Sequence, residues 1–166
     1  MTDGSIVIGS EGELFKTFNA KDGLGITLAH KCGLKTAIIT GRESTMLAYR
    51  AKELGITAFY QNCKNKLPAY KQLQVEFGLK PEEIAYIGDD LIDLGVMHSV
   101  GLPVTVADAV DEVKQLALLQ SDFNGGRGAV RQIIEFILKA QGKWQQIIEL
   151  YSQVTNDAKD DKAITQ

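Results

Sequence analysis

Tyr86-Ile87-Gly88-Asp89-Asp90-Leu91-Ile92-Asp93 places three carboxylates within five positions, directly after the apolar run Ile84–Ile87. That run is short and apolar, bounded by Gly88, and reads as a buried parallel strand. Acids at the carboxyl end of such a strand lie where open α/β sheets bind ligands. Clustered like charges repel unless a cation or a basic group sits among them, and hard oxygen donors suit Mg²⁺. Asp93 also has a plainer reading, as an acid in the first turn of a helix facing the positive end of its dipole.

Outward from this stretch the pattern alternates strand and helix. Ser5–Gly9 and Glu13–Phe18 flank the turn Ser10-Glu11-Gly12 and read as a β-hairpin. Strands are expected at Thr36–Thr40, Ile56–Tyr60, Ile84–Ile87 and Pro103–Val106. Helices are expected at Gly23–Lys31, Glu43–Leu54, Leu67–Phe77, Leu91–Val100, Val110–Leu118, Val130–Ala140 and Lys143–Tyr151. Such alternation implies an α/β fold with a doubly wound parallel sheet, from which the hairpin projects. Residues 1–152 are expected to form a single domain and 153–166 a polar, disordered tail.

Composition narrows the function. With 166 residues, 45% of them hydrophobic, the chain can bury one good core. A net charge of −3 argues against nucleic acid as the main partner, so an anionic substrate must be met by a local basic cluster. Cys32 and Cys63 have no metal-ligand spacing and no disulfide framework around them. The start carries no signal-peptide pattern and no apolar run approaches the roughly 20 residues that span a bilayer, so the expected location is cytoplasmic, away from membranes.

Two more candidate groups fall on the same edge of the expected sheet. Thr40-Gly41-Arg42 follows one strand, bringing a hydroxyl, a close-approach glycine and a guanidinium; Arg50 follows two helical turns later. Lys66 lies just after the strand Ile56–Tyr60, at a helix start, where a lysine opposes the dipole and is better explained by an anion. A hydroxyl and an ammonium for phosphate oxygens, with a carboxylate for Mg²⁺, are the parts that phosphoryl transfer requires. His30 and His98 fall within helical patterns and read as surface or core residues.

These motifs resemble the haloacid dehalogenase superfamily of phosphatases, and within it the capless group acting on 3-deoxy-D-manno-octulosonate 8-phosphate. The resemblance runs from Met1 to about Tyr151. It rests on Thr2-Asp3-Gly4, the stretch Gly12–Asn19, Asp22-Gly23-Leu24-Gly25, Ile38–Arg42, Asn65-Lys66-Leu67, Gly88–Asp93, Val106–Ala109 and Gly125–Arg131. It implies that Thr40 and Lys66 hold the phosphoryl oxygens, that Asp89 binds Mg²⁺, and that Asp90 or Asp93 orients Lys66. It further implies substrate contacts from Asn19, Ala20, Lys21, Asp22, Gly23, Gly41, Arg42, Arg50, Lys66 and Arg127, with Arg42 pairing the sugar-acid carboxylate. A homotetramer is implied, its hairpins and Gly-rich segments closing neighbouring sites. A nonulosonate 9-phosphate phosphatase would share every motif except the substrate-reading positions, and Arg42 favours the octulosonate.

One departure stands out. The family's Asp-x-Asp-Gly motif, whose first Asp is the nucleophile and second the general acid, does not occur in these residues. The resemblance implies that the strand carrying it lies between Thr36–Thr40 and Ile84–Ile87. The expectation is therefore that Met1 is an internal methionine of the full gene product, and that the 166-residue chain is inactive. A truncated, non-catalytic subunit is the remaining alternative, against which the retention of Thr40, Lys66 and Asp89 argues.

Overall fold

Among residues 1–160, which this computed structural model describes, five short parallel strands in two separate sheets carry the molecule. The chain opens with an antiparallel hairpin, β1 (Val7–Gly9) and β2 (Gly12–Phe15). Helix α1 (Ala20–Lys31) follows, then β3 (Ala37–Ile39), α2 (Thr45–Glu53), β4 (Ala58–Tyr60) and α3 (Leu67–Phe77). A 3₁₀ turn at Pro81–Glu83 leads to β5 (Ala85–Gly88) and a second at Leu91–Asp93 leads to α4 (Leu94–Met97). Then come β6 (Leu102–Thr105), α5 (Asp111–Leu116), β7 (Leu119–Gln120), α6 (Ala129–Ala140) and α7 (Trp144–Asp160).

The parallel strands fall into two sheets. β3 pairs with β4, from Ala37↔Ala58 to Ile39↔Tyr60, and β5, β6 and β7 form the second sheet. All these pairings are parallel, as strand–helix alternation demands. In the second sheet, Thr105 Oγ1 adds a 2.8 Å hydrogen bond to the Gly88 carbonyl, fixing β5 where its acids begin.

The helices close over both groups. Ile26, Leu28 and Ala29 of α1 meet Ile134 and Leu138 of α6 and Ile147 of α7, with Met1 packed against them. A second cluster joins Met97, Val106, Ala109, Val113 and Ala129. Removing a buried leucine such as Leu28 from cores of this kind costs about 2–5 kcal/mol. Gly126, at φ +65°, lets the loop before α6 lie against the N-terminal segment: an added Cβ would stand 2.4 Å from the Thr2 carbonyl carbon.

One expected helix needs correction. The helix expected at Leu91–Val100 is a 3₁₀ turn plus the four-residue α4, because Asp90 caps Leu91 N at 2.7 Å and the Asp93 carboxylate folds back onto the Asp89 and Asp90 amides. Strand β7, only two residues long, carries too little pattern to be read from sequence. The last helix, α7, extends to Asp160, beyond the expected end at Tyr151, and residues 161–166 of the expected tail lie outside the described residues. No helix among the described residues is long and apolar enough to cross a membrane.

Candidate active site

The carboxyl ends of β3, β4 and β5 converge on a hollow of about 260 Å³ lined by Thr40, Gly41, Arg42, Lys66 and Asp89. Thr40, Gly41 and Arg42 follow β3, Lys66 follows β4 and Asp89 follows β5, so three strand ends, and no single motif, assemble the group. Thr40 extends the parallel ladder by donating its amide to the Tyr60 carbonyl, and its hydroxyl oxygen accepts from the Arg42 amide at 3.3 Å. That turn presents the Thr40 hydroxyl and the Arg42 stem side by side. The N-terminal stretch and Lys16, from just after β2, complete the wall.

Asp93 sits behind the hollow, 1% exposed, and organises it. Its carboxylate accepts from Lys66 Nζ at 2.6 Å, from the Tyr86 hydroxyl at 2.5 Å, and from the amides of Asp89 and Asp90 at 3.1 and 3.3 Å. Burial alone would raise its pKa, but the bonds from Lys66 and Tyr86 outweigh that and hold it below the ordinary carboxylate value. The Tyr86 phenol is pushed far up by burial and by Asp93, so it stays a donor. Gly88 is where the two segments touch: a Cβ there would meet Asp93 Cβ at 2.6 Å and Met97 Sδ at 2.7 Å. Of the two acids expected to orient Lys66, the geometry selects Asp93, while Asp90 caps the 3₁₀ turn.

Asp89 keeps solvent contact, yet its carboxyl is held above the usual value by burial and by the Asp93 charge. Such an anion gains from a nearby cation. Its oxygens are hard donors of the kind Mg²⁺ takes, and Mg²⁺ is commonly bound by one or two carboxylates with phosphate oxygens and water completing the shell. The donor fits the ion as one member of such a set; no group of three or more His, Cys, Asp or Glu able to hold a metal occurs among the described residues. The Met1 amino group is buried close to Asp22, Asp89 and Asp108, and burial lowers its pKa.

The other contacts that the resemblance names are not among the residues lining this hollow. Asp22 is 2% exposed and accepts from the Gly128 and Arg131 amides, capping the start of α6. Gly23 is buried against the Arg50 guanidinium. Asn19 caps α1 by accepting from Lys21 N at 2.8 Å, and Lys21 is exposed on its first turn. Ala20 and Arg50 line a separate, larger hollow of about 660 Å³ with Phe18, Tyr49 and Glu53; there Arg50 pairs with Glu53 at 2.7 Å and lies over the Phe18 ring. Arg127 is exposed and pairs with Asp3 at 3.2 Å, beside the N-terminal residues that wall the smaller hollow. His30 bonds Thr36 Oγ1 at 2.6 Å, and His98 is exposed.

Sequence reasoning passed over Lys16, Glu13 and Ser44. Lys16 Nζ lies 2.5 Å from Glu13 Oε1, and Ser44 Oγ, which also caps α2, donates to Glu13 Oε2 at 2.5 Å. The one available signal was an oppositely charged pair three residues apart, which surface hairpins also show.

Residues 59–134 match the model of the haloacid dehalogenase-like hydrolases. The 3-deoxy-D-manno-octulosonate 8-phosphate phosphatase of Yersinia pestis is 48% identical over 143 residues, which cover 86% of this chain and 76% of that protein. The crystal structure of that species' enzyme aligns with a TM-score of 0.85 at 47% identity, covering 87% of this chain and 78% of that one. The phosphatase of the same name from Moraxella catarrhalis, solved with a magnesium ion, a phosphate ion and a KDO molecule, aligns with a TM-score of 0.87 at 39% identity, covering 90% and 86%.

Proposed function

The chain belongs to the 3-deoxy-D-manno-octulosonate 8-phosphate phosphatases among the haloacid dehalogenase-like hydrolases, and from that premise we propose that its site hydrolyses this sugar-acid phosphate with Mg²⁺. The observation that carries the reading is the convergence of Thr40, Lys66 and Asp89 from three parallel strand ends on one hollow. Lys66, held by Asp93, presents an ammonium to the phosphoryl oxygens, and the Thr40 hydroxyl bonds a second oxygen. Asp93 aims Lys66 through their 2.6 Å contact without itself lining the hollow. Arg42, at the far side of Gly41, suits a carboxylate, which guanidinium can hold bidentately. Mg²⁺, with Asp89 among its ligands, supplies charge neutralisation between anions that otherwise repel.

The nucleophile of this reading is an aspartate of an Asp-x-Asp pair, which the 166 residues do not contain. This reading puts the strand that brings it between β3 and β5, which lie in separate sheets, and gives the residues present the binding of phosphate and metal without a phospho-intermediate. The hairpin carries exposed Ile8, Leu14 and Phe15, which suit burial against other copies in a homotetramer; a monomer in sedimentation at micromolar concentration would overturn that assembly. A cytoplasmic location goes with the reading.

The deciding experiment is phosphate release from 3-deoxy-D-manno-octulosonate 8-phosphate with Mg²⁺ or with chelator, by the chain alone and with an N-terminal segment bearing Asp-x-Asp-Gly. Metal-dependent turnover by the extended form supports the reading. A folded, extended form without turnover would sink it.

A further inference from the structure

We infer that Lys16 is a specificity-determining residue, its ammonium reading the carboxylate end of the sugar-acid substrate from the hairpin side of the hollow. This rests on the phosphatase reading and adds to it a residue from outside the strand-end motifs. Lys16 lines the hollow, and its side chain is only 9% exposed. A buried ammonium is costly unless anions meet it. Glu13 meets it at 2.5 Å, and Glu13 is itself anchored by the Ser44 hydroxyl at the start of α2. The chain Lys16–Glu13–Ser44 therefore sets the position of a cation in the wall. An ammonium has three donors, so pairing with Glu13 leaves capacity for a second anion.

The hollow has two cationic ends. At one, Lys66 is committed to Asp93 beside Asp89, and Thr40 supplies a hydroxyl. At the other, Lys16 pairs with Glu13 on the hairpin side, and Arg42 lines the same hollow after Gly41. A substrate with phosphate at one end and a carboxylate at the other matches this division. With the phosphate met at the Lys66 end, the group left for Lys16 and Arg42 is the carboxylate.

The test is calorimetric titration of the full chain, in Mg²⁺, with free 3-deoxy-D-manno-octulosonate and separately with inorganic phosphate. A hydrogen bond between charged groups is worth enough for Lys16→Met to lower the ratio of sugar-acid to phosphate affinity about tenfold. Lys16→Arg should restore most of that ratio, which a purely structural role for the Lys16–Glu13 pair would not require. Should Lys16→Met fail to fold by circular dichroism, Lys16→Gln, which keeps a donor for Glu13, decides by the same ratio. An unchanged ratio, or equal loss for both ligands, overturns the assignment of Lys16 and leaves the phosphatase reading standing. A wild-type chain that binds neither ligand overturns both.

Discussion

The Lys66 ammonium lies 2.6 Å from the Asp93 carboxylate, and this contact joins the end of the β3–β4 sheet to the end of the β5–β6–β7 sheet. Both groups are buried, at 8% and 1% exposure, so the pair bridges two halves that are separate in backbone pairing. The same contact therefore positions the Lys66 ammonium and ties the two sets of strand ends together, beside the Tyr70–Ser99 bond between α3 and the end of α4.

Lys66→Met should therefore destabilise the protein, since it leaves the Asp93 charge buried with only Tyr86 and two amides. Breaking one side of a buried pair costs about 3–5 kcal/mol. Urea denaturation monitored through Trp144 would measure it, and a loss below about 1 kcal/mol would show that the pair is not what couples the sheets.

Asp89→Asn should weaken Mg²⁺ binding at least about tenfold, because a neutral amide replaces an anionic ligand beside phosphate. Asp89 keeps solvent contact, so the melting temperature should change little. Titration of Mg²⁺ in the presence of phosphate reads the effect; affinity equal to wild type would move the metal to another acid.

The hairpin latch should open in acid. Bonds from Lys16 and Ser44 hold the Glu13 pKa below its ordinary value, so its contribution is fully present above the unfolded value of about 4.3 and is lost as pH falls through the lower folded value. Amide hydrogen exchange at Leu47, whose amide bonds Ser44 Oγ, should accelerate in that window, and Glu13→Gln should remove the pH dependence. Exchange that stays flat with pH in the wild type would show that Glu13 does not hold the hairpin.

The 166-residue chain should release no phosphate from the sugar-acid phosphate, and adding Asp-x-Asp-Gly on an N-terminal strand should create the activity. A positioned nucleophile is worth effective molarities of about 10⁵–10⁸ M, which water cannot replace. The assay needs circular dichroism beside it, and robust hydrolysis by the folded, unextended chain would show a nucleophile among the residues described here.

The alternation of apolar runs with 3.6-period stretches, and the acids after Ile84–Ile87, determined the fold class and placed Thr40, Lys66 and Asp89 at strand ends. That information is local, because period and strand-end position are properties of neighbours in the chain. Which acid holds Lys66 was open between Asp90 and Asp93 until the 3₁₀ turn rotated one carboxylate inward and left the other as a cap. Asp22 was named by the family resemblance alone, and its environment comes from α6, more than a hundred residues away, whose first amides take its carboxylate. Lys16 and Glu13 looked like any charged hairpin pair until Ser44, 31 residues from Glu13, closed over them. Such roles depend on distant segments meeting, and only the tertiary structure, by burying each charge against a particular partner, decided them.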